Sequence, residues 1–161
     1  MATTGTIIFP VQGAKLPTAN AALIDGGETN WRLLFDDSAT CMAWWQFRMP
    51  HDYNAAGNAF IQYSTLSGVS NAIAMGVAIM AITPGDAVDV NTESFATYNT
   101  GAASGVWTVG QVYNMTIPLT SLDSLAANDF VKVRLLRDVG ATDSLTGQVE
   151  VLNFTMEYLT T

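Results

Sequence analysis

Val131-Lys132-Val133-Arg134-Leu135 carries the clearest fold signal in the chain. Apolar side chains alternate there with cations at period two. An extended segment with that pattern is apolar on one face and charged on the other, as in a half-buried strand of an antiparallel sheet. Working outward, the same period recurs in nearly every apolar-rich stretch, and none sustains the 3.6-residue period of a helix. The chain reads as all-β.

Gly, Pro, Asn and Asp punctuate the sequence into about eight strand candidates. Ala21 to Asp25 and Trp31 to Phe35 flank the turn-forming Asp25-Gly26-Gly27-Glu28. Thr40 to Met49 ends at Pro50, and Phe60 to Leu66 follows the turn-rich Asn54 to Asn58. Ile73 to Ile82 stops at Thr83-Pro84-Gly85-Asp86, and a polar stretch follows with room for one helical turn near Asp86 to Ala96. Val106 to Val109, Tyr113 to Leu119, Phe130 to Leu136 and Gln148 to Tyr158 complete the set, the last two separated by the loop Asp138 to Gly147.

Alternation assigns faces. Cys41, Ala43, Trp45, Phe47 and Met49 share a core side, which turns Trp44 away with Met42, Gln46 and Arg48. Ile73, Met75, Val77, Ile79 and Ala81 form a large face opposite the small Ala74, Gly76 and Ala78. Such a strand is covered on both sides, and its small side admits a loop, an N-terminal arm or another subunit. Tyr113, Met115, Ile117 and Leu119 make a further core stripe. In the last strand Val149 and Val151 share one parity and Leu152, Phe154, Met156 and Tyr158 the other, so a β-bulge is expected near Val151-Leu152.

These strands fit two facing antiparallel sheets about 10 Å apart. The long connections at 50–59 and 83–105 favour Greek-key or jelly-roll-like winding over a simple meander. No composition shift or linker divides the chain. The reading is an N-terminal arm over residues 1–20 and one β-sandwich domain over 21–161. The arm holds an isolated apolar patch, Ile7, Ile8, Phe9 and Val11, in which Pro10 argues against a central strand. An edge strand, or an extended arm lying on a neighbour, is expected.

Only 12% of residues are charged, against about 25% in an average globular domain, which suits a surface partly hidden in an assembly. The formal net charge is −8. Phosphates offer such a chain no counterion-release energy, and anionic membranes no attraction, so neither nucleic acid nor a membrane is expected as a partner. Cys41 is the sole cysteine and forms no disulfide within the chain. Met1-Ala2-Thr3-Thr4-Gly5 has no signal-peptide pattern, and the apolar run Ala72 to Ile82 is too short to span a bilayer. Synthesis in a cytoplasm and a soluble product are expected.

Chemistry is nearly absent. His51, the single histidine, lies between Pro50 and Asp52 in a turn. A Ser-His-Asp arrangement can be imagined around it, yet no Gly-x-Ser-x-Gly elbow exists. Cys41 reads as core packing, and Glu150 and Glu157 as outer-face acids of a strand rather than a glycosidase pair. The expectation is therefore no enzyme, with no catalytic residue and no cofactor. Asp86, Asp89, Asn91 and Glu93 carry oxygen ligands that Ca²⁺ accepts. They lack EF-hand spacing, and a polar turn explains them as well, so no metal site is assigned. Tryptophan supplies the remaining candidates, because its ring stacks on sugars and anchors interfaces. Trp45 belongs to the core parity, while Trp31, Trp44 and Trp107 are candidate contacts, Trp107 foremost because it follows the Gly/Ser/Ala-rich stretch 100–105.

A resemblance covers residues 40 to 158. Its signatures are Phe47-Arg48-Met49-Pro50-His51-Asp52-Tyr53, then Ile79 to Asp86, then Ala126 to Asp138, and the closing Gly147 to Leu152. In this order they resemble a group of small tailed-bacteriophage virion proteins with a jelly-roll-like sandwich, some of them capsid decoration (cement) proteins and others head- or tail-fibre modules. The resemblance implies a homotrimer on the outer capsid surface of a virion, bound to the major capsid protein and to itself. It would stabilise the shell by bridging neighbouring subunits. Residues 1–20 have no counterpart in the resemblance; from the apolar patch of the arm and the tryptophans, Ile7, Ile8, Phe9, Val11, Trp31, Trp44 and Trp107 are the candidate subunit or capsid contacts. The alternative is a carbohydrate-binding module, which would present Trp31, Trp44 or Trp107 in a groove.

Overall fold

The structure is a computed structural model that describes residues 3–26, 30–68, 70–140 and 142–161. Ten strands account for its regular structure. They are β1 (Thr4–Phe9), β2 (Leu23–Gly26), β3 (Trp31–Phe35), β4 (Cys41–Arg48), β5 (Tyr53–Thr65), β6 (Ser70–Ile82), β7 (Asn99–Val106), β8 (Tyr113–Pro118), β9 (Phe130–Arg137) and β10 (Val149–Thr160). A single 3-10 turn, Val11–Gly13, follows β1. The expected turn at Asp25-Gly26-Gly27-Glu28 lies mostly outside the described residues.

One sheet has the order β2-β3-β10-β5-β8 with β1 also on β10, and the other has the order β4-β9-β6-β7. Every strand pair is antiparallel. The pairings β3 with β10, β4 with β9, β5 with β8 and β6 with β7 are nested. The chain from β3 onward is thus one long hairpin rolled over itself, a jelly roll. From β3 to β10 rolling sends successive strands to alternate sheets except at the β6–β7 hairpin end, where both lie in one sheet. Most strands then need only one apolar face, which period two suffices to encode, while β6 is buried on both.

The core lies between the sheets. Cys41, Ala43 and Trp45 of β4, Val131, Val133 and Leu135 of β9, and Ile73 to Ile79 at alternate positions of β6 are buried there. They pack against Leu33, Phe35, Ile61, Tyr63, Met115, Ile117 and the inward side of β10. The bulge sits where parity placed it: Val151 pairs with Tyr63, but Asn153 pairs with Gln62. That extra residue lets Val149 and Val151 before it, and Phe154 and Met156 after it, all point into the core.

Three expectations need correcting. First, the N-terminal arm is part of the sandwich. β1 pairs with β10 from Thr4↔Leu159 to Phe9↔Phe154, and Lys15 and Ala21 bridge to Trp44 and Met42 of β4. Phe9 and Val11 are buried; the Phe9 ring stacks 4.7 Å from Phe154 and lies 5.6 Å from Trp45. Two large apolar residues close in sequence find their burial at home, and Pro10 ends the edge strand while its carbonyl accepts the Trp45 indole N–H at 2.9 Å. Second, Asn54 to Asn58 is strand, not turn. Gly57 is needed there because a Cβ would stand 3.1 Å from the Glu157 carbonyl oxygen. Third, the stretch 100–105 is strand β7, whereas the expected strand 106–109 is mostly not. Gly101 brings the β7 backbone close to Ile117, where a Cβ would meet Cγ1 at 2.7 Å.

The small outer side of β6 is covered by a loop. Residues 83–98 have no regular structure and fold back over the sheet, tied by Ala96 N–H to the Ile79 carbonyl at 2.8 Å. The Tyr98 ring lies over Gly76, where a Cβ would stand 3.3 Å from it.

Candidate binding cleft

The loop does not close down completely. Between it and the outer face of β4, β9 and β6 lies a cleft of about 520 Å³. Its floor comes from facing strand positions. Trp44 stands opposite Arg134, Gln46 opposite Lys132, and on the other flank Ala78 and Met80 stand opposite Arg134 and Lys132. Directly opposite residues of an antiparallel pair share a face, which places Trp44, Lys132, Arg134 and Met80 side by side. Asn91, Glu93, Ser94, Phe95 and Tyr98 of the loop form the wall.

The two cations are held by aromatic neighbours. The Arg134 guanidinium stacks 3.8 Å over the Phe95 ring and donates from Nη1 to the Tyr98 hydroxyl at 3.0 Å. Lys132 Nζ lies 5.8 Å from the Trp44 ring centroid and donates to the Val90 carbonyl at 2.9 Å. Trp44 is partly exposed. The cleft therefore offers an indole surface ringed by amide, carboxylate, hydroxyl and cationic groups. That combination offers an apolar ring face beside hydrogen-bonding and charged groups.

The tryptophans do not share a groove. Trp44 faces the cleft, as its parity required. Trp31 is half exposed, on the other sheet, with its ring over Gly26. Trp107 is a correction: it is 6% exposed. Its ring packs edge-on to Tyr113 at 4.9 Å and near Tyr63, and its indole N–H donates to the Asn71 carbonyl at 2.9 Å. A large ring with one donor is buried readily when a carbonyl is at hand. Of the apolar N-terminal candidates, Ile8 is exposed, Ile7 is partly buried, and Phe9 and Val11 are core.

The oxygen-rich segment serves its own turn. Asp89 Oδ1 accepts from the Asn91 backbone and side chain, and Glu93 Oε1 accepts from Ser94 N–H. Among the described residues no three His, Cys, Asp or Glu side chains converge as a metal site. His51 is exposed in its turn, and the neighbouring Asp52 accepts the Tyr158 hydroxyl instead. Cys41 is buried and donates to the Ala39 carbonyl.

Lys132, Arg134, Phe95 and Tyr98 were not singled out from sequence. The signal was present for the cations, which occupy the polar parity of the very strand that decides the fold.

No family model matches the chain, and no curated protein matches it. Solved structures do. A carbohydrate-binding module specific for non-crystalline cellulose is similar at 10% identity, over 89% of this chain and 86% of that one, with a TM-score of 0.53. A family 35 carbohydrate-binding module from Clostridium thermocellum is 14% identical over 94% of this chain and 97% of that one, with a TM-score of 0.48. A chain of infectious bursal disease virus, Gx strain, is 11% identical over 99% of this chain and 32% of that one, at a TM-score of 0.45. The likeness to the first of these is one of fold: a two-sheet β-sandwich.

Proposed function

We propose that the protein is a non-enzymatic carbohydrate-binding module that takes a saccharide chain in the cleft over Trp44. The observation that carries this reading is the partly exposed Trp44 ring on the floor of an open cleft walled by Asn91, Glu93, Ser94 and Tyr98. A pyranose ring has an apolar face of axial C–H groups and a rim of hydroxyls. An indole takes the first, and amide, carboxylate and hydroxyl groups take the second. The similar sandwich with a TM-score of 0.53 is itself a carbohydrate-binding module, which supports the reading. The test is affinity electrophoresis and calorimetry against a panel of soluble polysaccharides. Trp44→Ala weakens binding about tenfold or more, while Trp31→Ala leaves it unchanged. Equal binding by the wild type and Trp44→Ala would refute the site.

A virion decoration role is the second reading, favoured by exposed apolar side chains elsewhere. Val106, Val109 and Val112 are 75%, 56% and 51% exposed around the β7–β8 connection, with Ile8 and Leu23 exposed at the edge of the other sheet. Such residues suit a homotrimer seated on the major capsid protein at the outer surface of a phage. Light scattering together with cosedimentation on empty capsids separates the two readings, since a monomer that ignores capsids excludes the second.

A further inference from the structure

We infer that the cleft selects acidic saccharides, chains bearing carboxylates, over neutral ones, an inference that rests on the saccharide reading of the same site. It starts from an imbalance. The chain has 14 acids and six Lys and Arg, so a cation has many potential partners. Two cations use them: Arg32 pairs with Asp25 and Glu150, and Arg137 with Asp143. Among the described residues, Lys15, Arg48, Lys132 and Arg134 have no carboxylate within ion-pair distance. All four fall on one face. Lys15 stands opposite Trp44, Trp44 opposite Arg134, and Gln46 opposite Lys132, with Arg48 two residues further along the same side of β4. An acidic molecule has gathered its unpaired cations around one tryptophan.

The two cations in the cleft also keep donors free. An ammonium has three N–H donors, and Lys132 uses one on the Val90 carbonyl. A guanidinium has five; Arg134 gives one to Tyr98, and its Nε is buried with no partner. A buried donor left unpaired is costly, and a ligand acceptor removes that cost. The stack on Phe95 fixes the guanidinium plane of a residue that lines the cleft, so the group is already ordered for the hydrogen bonds a carboxylate accepts from it. Glu93 is the one acid lining the cleft, and its Oε1 already accepts from Ser94. It leaves the cleft with a net positive charge and offers an acceptor for sugar hydroxyls. Asp89 stands just behind the wall, its Oδ1 occupied by the Asn91 backbone and side-chain N–H groups, and at physiological salt the field of charges further off is screened over about 8 Å.

The experiment compares polygalacturonate, alginate and hyaluronate, each beside its carboxyl-reduced counterpart, by calorimetry at physiological ionic strength. The acidic form of at least one binds about tenfold or more tightly than its reduced form. Arg134→Gln and Lys132→Gln each erase most of that preference while retaining residual binding through Trp44. Lys132→Gln carries the test if Arg134→Gln fails to fold, since Lys132 makes one side-chain hydrogen bond among the described residues. Reduced and acidic chains binding equally, or the reduced chains more tightly, would overturn the selectivity and leave the saccharide site standing. Failure of every acidic and neutral chain to bind would remove the saccharide reading and the inference with it.

Discussion

Arg137→Met should be among the most destabilising single changes in this protein. Arg137 has the core parity of β9, and its side chain is fully buried at one end of the sandwich. All five of its N–H donors are used. Nε and Nη2 donate to the two Asp143 carboxylate oxygens at 3.1 and 2.9 Å, Nη2 also reaches the Leu145 carbonyl, and Nη1 reaches the carbonyls of Gly147 and Phe35. One side chain thus ties the 138–147 loop to β9 and, through Phe35, to the opposite sheet. Methionine fills much of the volume but leaves the Asp143 carboxylate, 3% exposed, with only the Ala74 N–H among the described residues. It also leaves three carbonyls without this donor. Breaking a buried pair in this way costs about 3–5 kcal/mol, against a total of about 5–15 kcal/mol for a domain. With a urea m-value of about 2 kcal/mol/M, a loss of about 4 kcal/mol moves the midpoint down by about 2 M at unchanged m. Arg137→Met combined with Asp143→Leu should lose less than Arg137→Met alone, because no buried charge is then stranded. A midpoint shift under about 0.5 M for the single variant would refute the reasoning.

Two further outcomes follow from the core. Phe9→Ala should cost about 3–5 kcal/mol in urea unfolding, since Phe9 packs among Trp45, Phe47 and Phe154; no loss would restore the picture of a free arm. Burial, with Tyr113 nearby, pushes the Tyr63 phenol up to about 12. The folded state therefore holds this proton after the unfolded chain has released it. The stability Tyr63 contributes is whole below about pH 10 and is lost as pH rises toward about 12, by roughly 2–3 kcal/mol. Tyr63→Phe should flatten that decline in urea midpoints taken across this range, leaving the smaller share from Tyr53 and Tyr158, whose phenols burial also raises.

The fold was legible because a rolled hairpin asks each strand for one apolar face, and alternation is a strictly local signal. Val131 to Leu135, Cys41 to Met49 and the parity change at Val151 could be read without knowing which strand pairs with which. The misread elements have local chemistry that says one thing and tertiary contact that says another. Asn54 to Asn58 carries turn residues, yet the edge of β10 at Glu157 recruits them as strand and makes use of Gly57. Residues 100–105 are strand rather than turn, and Gly101 among them is small where β7 passes close to Ile117. Ile7 to Val11 left open an edge strand or an arm on a neighbour because the strand it pairs with, β10, lies at the far end of the sequence.

The cleft was legible only in halves. Parity put Trp44 outside the core and Lys132 and Arg134 on the polar side of their strand, but the register that joins them is a property of β4 on β9, more than eighty residues apart in sequence. The wall was hidden more deeply. Phe95 and Tyr98 sit in a segment without period, where the oxygen-rich Asp89, Asn91 and Glu93 suggested a cation site. Those oxygens fold the loop, and the folded loop brings an aromatic ring to a guanidinium. The small side of β6 explains why the loop can come so close: Gly76 leaves room for Tyr98, and Tyr98 in turn fixes Arg134. Alternation in β9 thus does two things at once. Its apolar residues close the sandwich, and its charged residues, without carboxylate partners among the described residues, are carried beside the partly exposed Trp44 ring on the floor of the cleft.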